Sequence, residues 1–478
     1  MHYLNKQGDV TNTKETLATK IAQRKRILWR DLLIVLVLAV SLRTVCSFRS
    51  FGDAENRQIG DDAVAYRTLA DNLVDGQGFG RIKPVGPEGE DVWTPEFCWT
   101  PGYPSLIAGF EWLTGHGQAP TIVFQQVLGI VLCLMVMVIC QRHFGRKAGL
   151  VAGCLLALDF QAIGLSNILI ADCVFGFLLC CSVFLAAKFM DGGSIWFSLE
   201  AGLLLGIGIL TKPAGMPLPT VLFTVILIYA YIKRRTRLIP AALIVCVAAY
   251  LPVFGWSIRN SIVCGEYAFC SQPKHFLLQI TTVLLARSEG ISREVALERI
   301  LAKTGVSYRQ VRYLGLSPEE NRKVREAAIS TIIENRSSLM KEWVVSSAKL
   351  LFSPEKLTLL ALGLPHIAFG IQGDSTDISN VSAVSAAILA WETLVLGSTY
   401  VMLFITLWKC IRLRRLPTLV LICLISALCI LVLSSMPGGG DPRYRSQIIP
   451  LLVVIAAASF GLNRQTGFSH SSEVELLS

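Results

Sequence analysis

Charge is scarce in this chain of 478 residues: Asp, Glu, Lys and Arg together make up 16%, against 53% hydrophobic residues and a mean hydropathy of +0.55. A chain this long and this apolar is not an ordinary soluble domain, and it reads as an all-α polytopic membrane protein. No CxxC pair with a matching His or Cys partner occurs, which argues against a structural zinc site. No internal repeat is found, so a transporter or flippase built from paired halves loses its main sequence support. No low-complexity segment interrupts the chain, and no small-residue cleavage site follows the first apolar run, which reads as a signal anchor.

The charge that is present is basic, a formal net +10, and it is gathered into short clusters between apolar runs. These are Arg24 to Arg26, Arg142 with Arg146 and Lys147, Lys233 to Arg237, and Lys409 to Arg415. That spacing is the positive-inside signature and leaves nucleic acid no place. Counting crossings from a cytoplasmic tail, residues 1–27, puts each cluster inside an inner (plasma) membrane. The count predicts ten or eleven spans, at about 28–48, 120–140, 148–164, 168–188, 196–211, 214–232, 239–256, 383–408, 416–434 and 447–462, with 350–369 undecided. Residues 28–256 form an N-terminal membrane module, 257–382 an outer segment with amphipathic helices, 383–462 the last spans and 463–478 a cytoplasmic tail. Most of the fourteen cysteines lie singly in apolar runs and act as small hydrophobes. For Cys264 and Cys270, in an outer loop, a disulfide and two free thiols both fit the spacing.

A long first outer loop, 49–119, carries the first candidates. Ala63, Tyr66, Leu69, Ala70 and Leu73 share one helical face, with Asp61 and Asp62 at its N-terminal end, where an acid also serves as a cap. The short run Ser105 to Leu113, after the Pro101-Gly102-Tyr103-Pro104 turn, reads as lying on the membrane surface. Asp172 stands about one turn inside the outer end of an apolar span, where an ionised group needs a polar cavity or a basic partner. Lys212 occupies an outer turn between spans, against the charge bias. Near the chain's end, the glycine-broken turn Gly438 to Ser446 places Arg443 and Arg445 against an apolar run. Topology thus brings Asp62, Asp172, Lys212, Arg259, Arg443 and Arg445 to one face of the membrane. Two carboxylates and four bases there suit a hydroxyl losing its proton to one carboxylate while a phosphate departs toward guanidinium groups.

These residues also carry a resemblance. Asp62-x-x-x-Tyr66 with Leu69, Ala70, Leu73 and Gly76-x-Gly78-Phe79, then Pro101-Gly102-Tyr103-Pro104, Leu210-Thr211-Lys212-Pro213, Pro252-x-x-x-Trp256-x-x-Arg259-Asn260 and Arg443-Tyr444-Arg445 with Pro450, resemble the polyprenyl-phosphate-sugar-dependent glycosyltransferases of the GT-C superfamily. The likeness is to the bacterial branch related to protein mannosyltransferases and to the aminoarabinose transferase of lipid A. It implies a GT-C-like bundle and an inverting hexosyl- or pentosyltransferase, with a polyprenyl-phosphate-sugar donor and a glycan, lipid or protein acceptor. It implies Asp62 as catalytic base, with Asp61 as the neighbouring candidate, and Asp172 as a second acid that helps the acceptor or a metal. Lys212, Arg443, Arg445 and Arg259 match the donor-phosphate side, and Tyr66, Tyr103, Asn260 and Tyr444 shape the site. Where the family commonly has Asp-Glu, this chain has Asp61-Asp62, and it has Lys at 212 where Arg is frequent. Members differ in metal use, so a divalent metal stays open, and no ligand set here compels one. A membrane scaffold that uses 257–382 for partner binding is the remaining rival.

Overall fold

The computed structural model describes residues 4–50, 61–84, 91–115, 117–307, 318–354, 383–437 and 439–462. Helices α1 (Leu4–Ser50), α4 (Ala119–Phe144), α7 (Asp172–Met190), α9 (Leu218–Lys233), α10 (Leu238–Cys264) and α15 (Ala383–Arg412) carry six stretches long and apolar enough to cross a bilayer. At 1.5 Å per residue, about 20 residues cover the ~30 Å hydrocarbon core. Their outward faces keep Leu33, Val123, Ile228, Leu251 and Phe404 exposed, which suits lipid as the surrounding solvent. Shorter apolar helices α5 (Arg146–Ala157), α8 (Trp196–Thr211), α16 (Thr418–Ser434) and α17 (Arg445–Ala457) pack among them. The chain is a multi-pass membrane protein. The undecided stretch 350–369 lies mostly outside the described residues.

One tight contact shows how such helices associate without a hydrophobic drive between them. Gly202 and Gly206 of α8 face α10 so closely that a Cβ would sit 2.6 Å from the Val245 carbonyl oxygen and 2.7 Å from that of Ala249. Small residues four apart let the two backbones meet.

The predicted run 148–164 is broken in the structure. Helix α5 stops at Ala157, and Asp159 caps α6 (Phe160–Leu165) by accepting the Ala162 amide at 2.7 Å. The basic clusters do gather at one end: Arg146 bonds Asp31 at 2.6 Å, Arg235 donates to the Met190 carbonyl at 3.1 Å and Lys409 to that of Ser459 at 2.7 Å.

The opposite end carries the long loop, whose α2 (Asp61–Val74) and α3 (Gly102–Thr114) pack on each other. Between them lies an antiparallel hairpin of β1 (Gly80–Pro84) and β2 (Asp91–Pro95), with Ile82 opposite Trp93. Sequence reading placed this stretch within the long outer loop and predicted no strands in it. Helix α3 is docked rather than free: Tyr103 and Ile107 are fully buried, while Trp112 and Leu113 stay exposed. After α10 come α11 (Gln272–Glu289), α12 (Arg293–Ala302), α13 (Pro318–Glu334) and α14 (Arg336–Phe352). No disulfide joins Cys264 to Cys270.

Candidate active site

The site forms where four distant stretches of chain end beside one another. Asp172 is the first residue of α7, at the helix mouth and not a turn inside it, where the helix dipole favours a carboxylate. It is 1% exposed, and its Oδ1 accepts from Lys212 Nζ at 2.6 Å and from Gln447 Nε2 at 2.6 Å. Lys212 stands in extended backbone after α8, because Pro213 cannot continue the helix and holds the residue before it out of helical geometry. Its ammonium lies 4.5 Å from the centre of the Tyr444 ring.

Arg443 sits beside the same ring, its guanidinium 5.0 Å from the centre. Its Nη1 pairs with Asp62 Oδ2 at 2.7 Å, and its Nη2 donates to the Tyr444 hydroxyl at 3.2 Å. The tight turn Pro442–Tyr444 holds it there. Asp441 caps that turn by accepting the Arg443 amide at 3.0 Å, and Gln161 donates to the Pro442 carbonyl at 2.7 Å. Asp62, Arg443, Tyr444, Lys212, Asp172 and Gln447 therefore run as one connected string in which each carboxylate faces a cation.

Charge in this string is mutually stabilised. Burial disfavours the Arg443 cation, but Tyr444, Asp62, Asp172 and Asp441 outweigh it and hold its pKa well above the ordinary arginine value. Tyr66, one turn beyond Asp62 on α2, meets Trp99 and Tyr103 edge to face at 5.1 and 4.9 Å, and Tyr103 donates to Gln125 Oε1 at 2.6 Å. Burial first, then the charges of Asp62 and Asp172, push the Tyr66 hydroxyl well above its usual pKa. Tyr66 is thus a neutral wall beside two carboxylates.

Arg445, matched in sequence to the donor-phosphate side, lies outside this string. It is 1% exposed, pairs with Glu392 and bonds Gln161 Oε1 at 3.2 Å and the carbonyls of Leu351 and Ser353 at 3.1 and 2.9 Å. With those donors engaged it braces α17 against α14 and α15. Arg259 likewise spans to the hairpin, donating to the carbonyls of Glu96 and Phe79 at 3.0 Å each, with Trp256 beneath it at 4.8 Å. Asn260 ties down the carbonyls of Ala268 and Phe269 at 2.9 Å. The Asp61 side chain lies outside the described residues.

Gln447 and Gln161 escaped sequence reading. The available signal for Gln447 was position, a polar residue in the first turn of the apolar helix that follows Arg443.

Among the described residues no three His, Cys, Asp or Glu side chains gather as ligands, and Asp62 and Asp172 each already hold a cation.

Fold and site together define a multi-pass α-helical membrane protein with a dense ionic cluster at one end of its bundle. Residues 99–257, which include Tyr103, Asp172 and Lys212, match the family described as dolichyl-phosphate-mannose-protein mannosyltransferase. Among solved structures, the Archaeoglobus fulgidus oligosaccharyltransferase in complex with zinc and sulfate is similar at 12% identity and a TM-score of 0.46, over 90% of this chain and 48% of that one. This chain thus spans about half the length of that relative. ArnT from Cupriavidus metallidurans is similar in its apo state at 16% identity and a TM-score of 0.36, over 89% of this chain and 77% of that one. Its undecaprenyl phosphate-bound state matches at 14% identity and a TM-score of 0.37, over 88% and 77%. No curated protein matches the chain by sequence.

Proposed function

We propose that the protein is a membrane glycosyltransferase that moves a sugar from a polyprenyl-phosphate carrier to an acceptor hydroxyl at the face of the membrane opposite the basic clusters. The observation that carries this reading is the Asp62–Arg443 pair at 2.7 Å, set beside Lys212 and Asp172 at the mouth of a bundle whose spans can house a lipid tail. The segment matching the mannosyltransferase family contributes two of these four residues.

Before substrate arrives, Arg443 holds the Asp62 carboxylate. A donor phosphate, with more oxygens and more charge, competes for that guanidinium and frees Asp62 to accept a proton. The acceptor oxygen then bonds to the anomeric carbon as its proton passes to Asp62. The bond from that carbon to the phosphate oxygen breaks, and its electron pair leaves with the polyprenyl phosphate toward Arg443. Lys212, anchored by Asp172 and Gln447, adds positive potential without moving. The membrane in question would be the inner (plasma) membrane, with the site outside.

The assignment is tested by Arg443→Gln in proteoliposomes supplied with labelled donors. The KM for donor should rise about tenfold or more, as for loss of one charge-assisted contact. An unchanged KM would remove Arg443 from the phosphate site.

A further inference from the structure

Arg443 has a second exposure that the proposed transfer does not use. It also lines a half-open cavity of about 740 Å³, together with Phe276 and Gln279 of α11, Arg293 of α12, Lys349 of α14 and the turn from Gly439 to Tyr444. The turn reaches this position because Gly440 takes a φ of +79° and comes so near α14 that a Cβ would lie 2.6 Å from the Ser346 carbonyl oxygen. A side chain there would clash, so glycine seats Arg443 across the cavity from Lys349, which follows Ser346 by three residues.

Positive charge in this cavity is in excess. The lining holds three cations and one carboxylate, Asp441, which is already engaged by the Arg443 side chain at 3.5 Å and by its amide. Neither Arg293 nor Lys349 forms an ion pair with a described residue, whereas nearby Arg287 is paired with Glu342. Burial, helped by the charges of Arg287 and Arg293 and opposed by Glu342, lowers the Lys349 pKa. Unrelieved cations around a polar cavity are what an anion would complete.

Resting on the transferase reading above, we propose that this cavity binds an oxyanion of the acceptor, a phosphate or a carboxylate. The acceptor is then an anionic molecule, held by Arg293 and Lys349 while its hydroxyl reaches Asp62 past Arg443. The acceptor is favoured over the donor because α11, α12 and α14 contain none of the span-length stretches, so the cavity wall facing Arg443 is not one along which a polyprenyl tail would lie.

The test uses the full chain in nanodiscs of uncharged phosphatidylcholine, with calorimetric binding of inorganic pyrophosphate and of glycerol 3-phosphate, and with glycerol as neutral control. Wild type should bind both anions and not glycerol. Arg293→Gln/Lys349→Gln should weaken pyrophosphate binding about tenfold or more, and Lys349→Arg should retain it, which separates lost charge from lost folding. Binding of polyprenyl phosphate should change less than about twofold in the same variants. Equal pyrophosphate binding by wild type and the double variant overturns the site. An equal loss for polyprenyl phosphate overturns the acceptor assignment and gives the cavity to the donor. If wild type binds pyrophosphate through these residues but no polyprenyl phosphate, the transferase reading falls and takes the acceptor's role with it, while the anion site stands.

Discussion

Asp62→Asn lowers sugar transfer by about a thousandfold, the range expected when a general base is removed, while polyprenyl phosphate binding is retained or strengthened. The two signs together identify the role. Asn keeps the size of Asp62, whose side chain is 25% exposed, so the fold has little to lose. It removes the carboxylate that holds Arg443 in the resting state, and the freed guanidinium is then open to phosphate. A residue that merely capped α2 would show neither effect: its loss would cost a little stability and leave rate and binding alike. Single-turnover transfer beside equilibrium binding of the carrier, at matched folded amounts, reads both.

The second large effect is on stability. Asp172 is 1% exposed and Lys212 12%, so removing one charge strands the other where water cannot solvate it. Asp172→Asn should cost about 3 kcal/mol, near the lower end for breaking a buried pair, because Lys212 keeps the Tyr444 ring beneath it. Lys212→Met should cost a similar amount, since among the described residues Asp172 then keeps Gln447 as its one hydrogen-bond donor. The double variant Asp172→Asn/Lys212→Met should recover much of the loss. Denaturant unfolding in detergent micelles measures all three. A double variant as unstable as the sum of the singles would show that the two charges are not coupled.

How much of this could be read from sequence follows from which interactions are local. The helices were legible because long apolar runs and basic clusters are one-dimensional signals, and the clusters at Arg146, Arg235 and Lys409 do collect at one end. Asp62, Asp172, Lys212 and Arg443 were legible as a group because ionisable residues at helix ends on one face have few places to go. What separated Arg443 from Arg445 was not legible. They are two residues apart on a turn leading into a helix, and contacts with Glu392, Gln161 and the Leu351 and Ser353 carbonyls, all distant in sequence, draw one of them inward. The hairpin was missed for a similar reason. Its strands, Gly80–Pro84 and Asp91–Pro95, are short and proline-bounded, and they are held by long-range contacts, Arg81 to Glu96 at 2.6 Å and Arg259 to two carbonyls. Gln447 reads as one polar letter at the head of an apolar run, and its meaning depends on Asp172, 275 residues away.

The central claim is that chemistry, rather than transport or scaffolding, happens at the Asp62–Arg443 pair. The most direct measurement places wild-type protein in proteoliposomes with a panel of doubly labelled polyprenyl-phosphate sugars and anionic acceptors, and follows the lipid and sugar labels together. The prediction is that sugar appears on acceptor and free polyprenyl phosphate accumulates in equal amount. If the donor stays intact across the panel while the lipid-linked sugar merely exchanges between leaflets, the protein is a flippase and the assignment of Asp62 as a base is wrong.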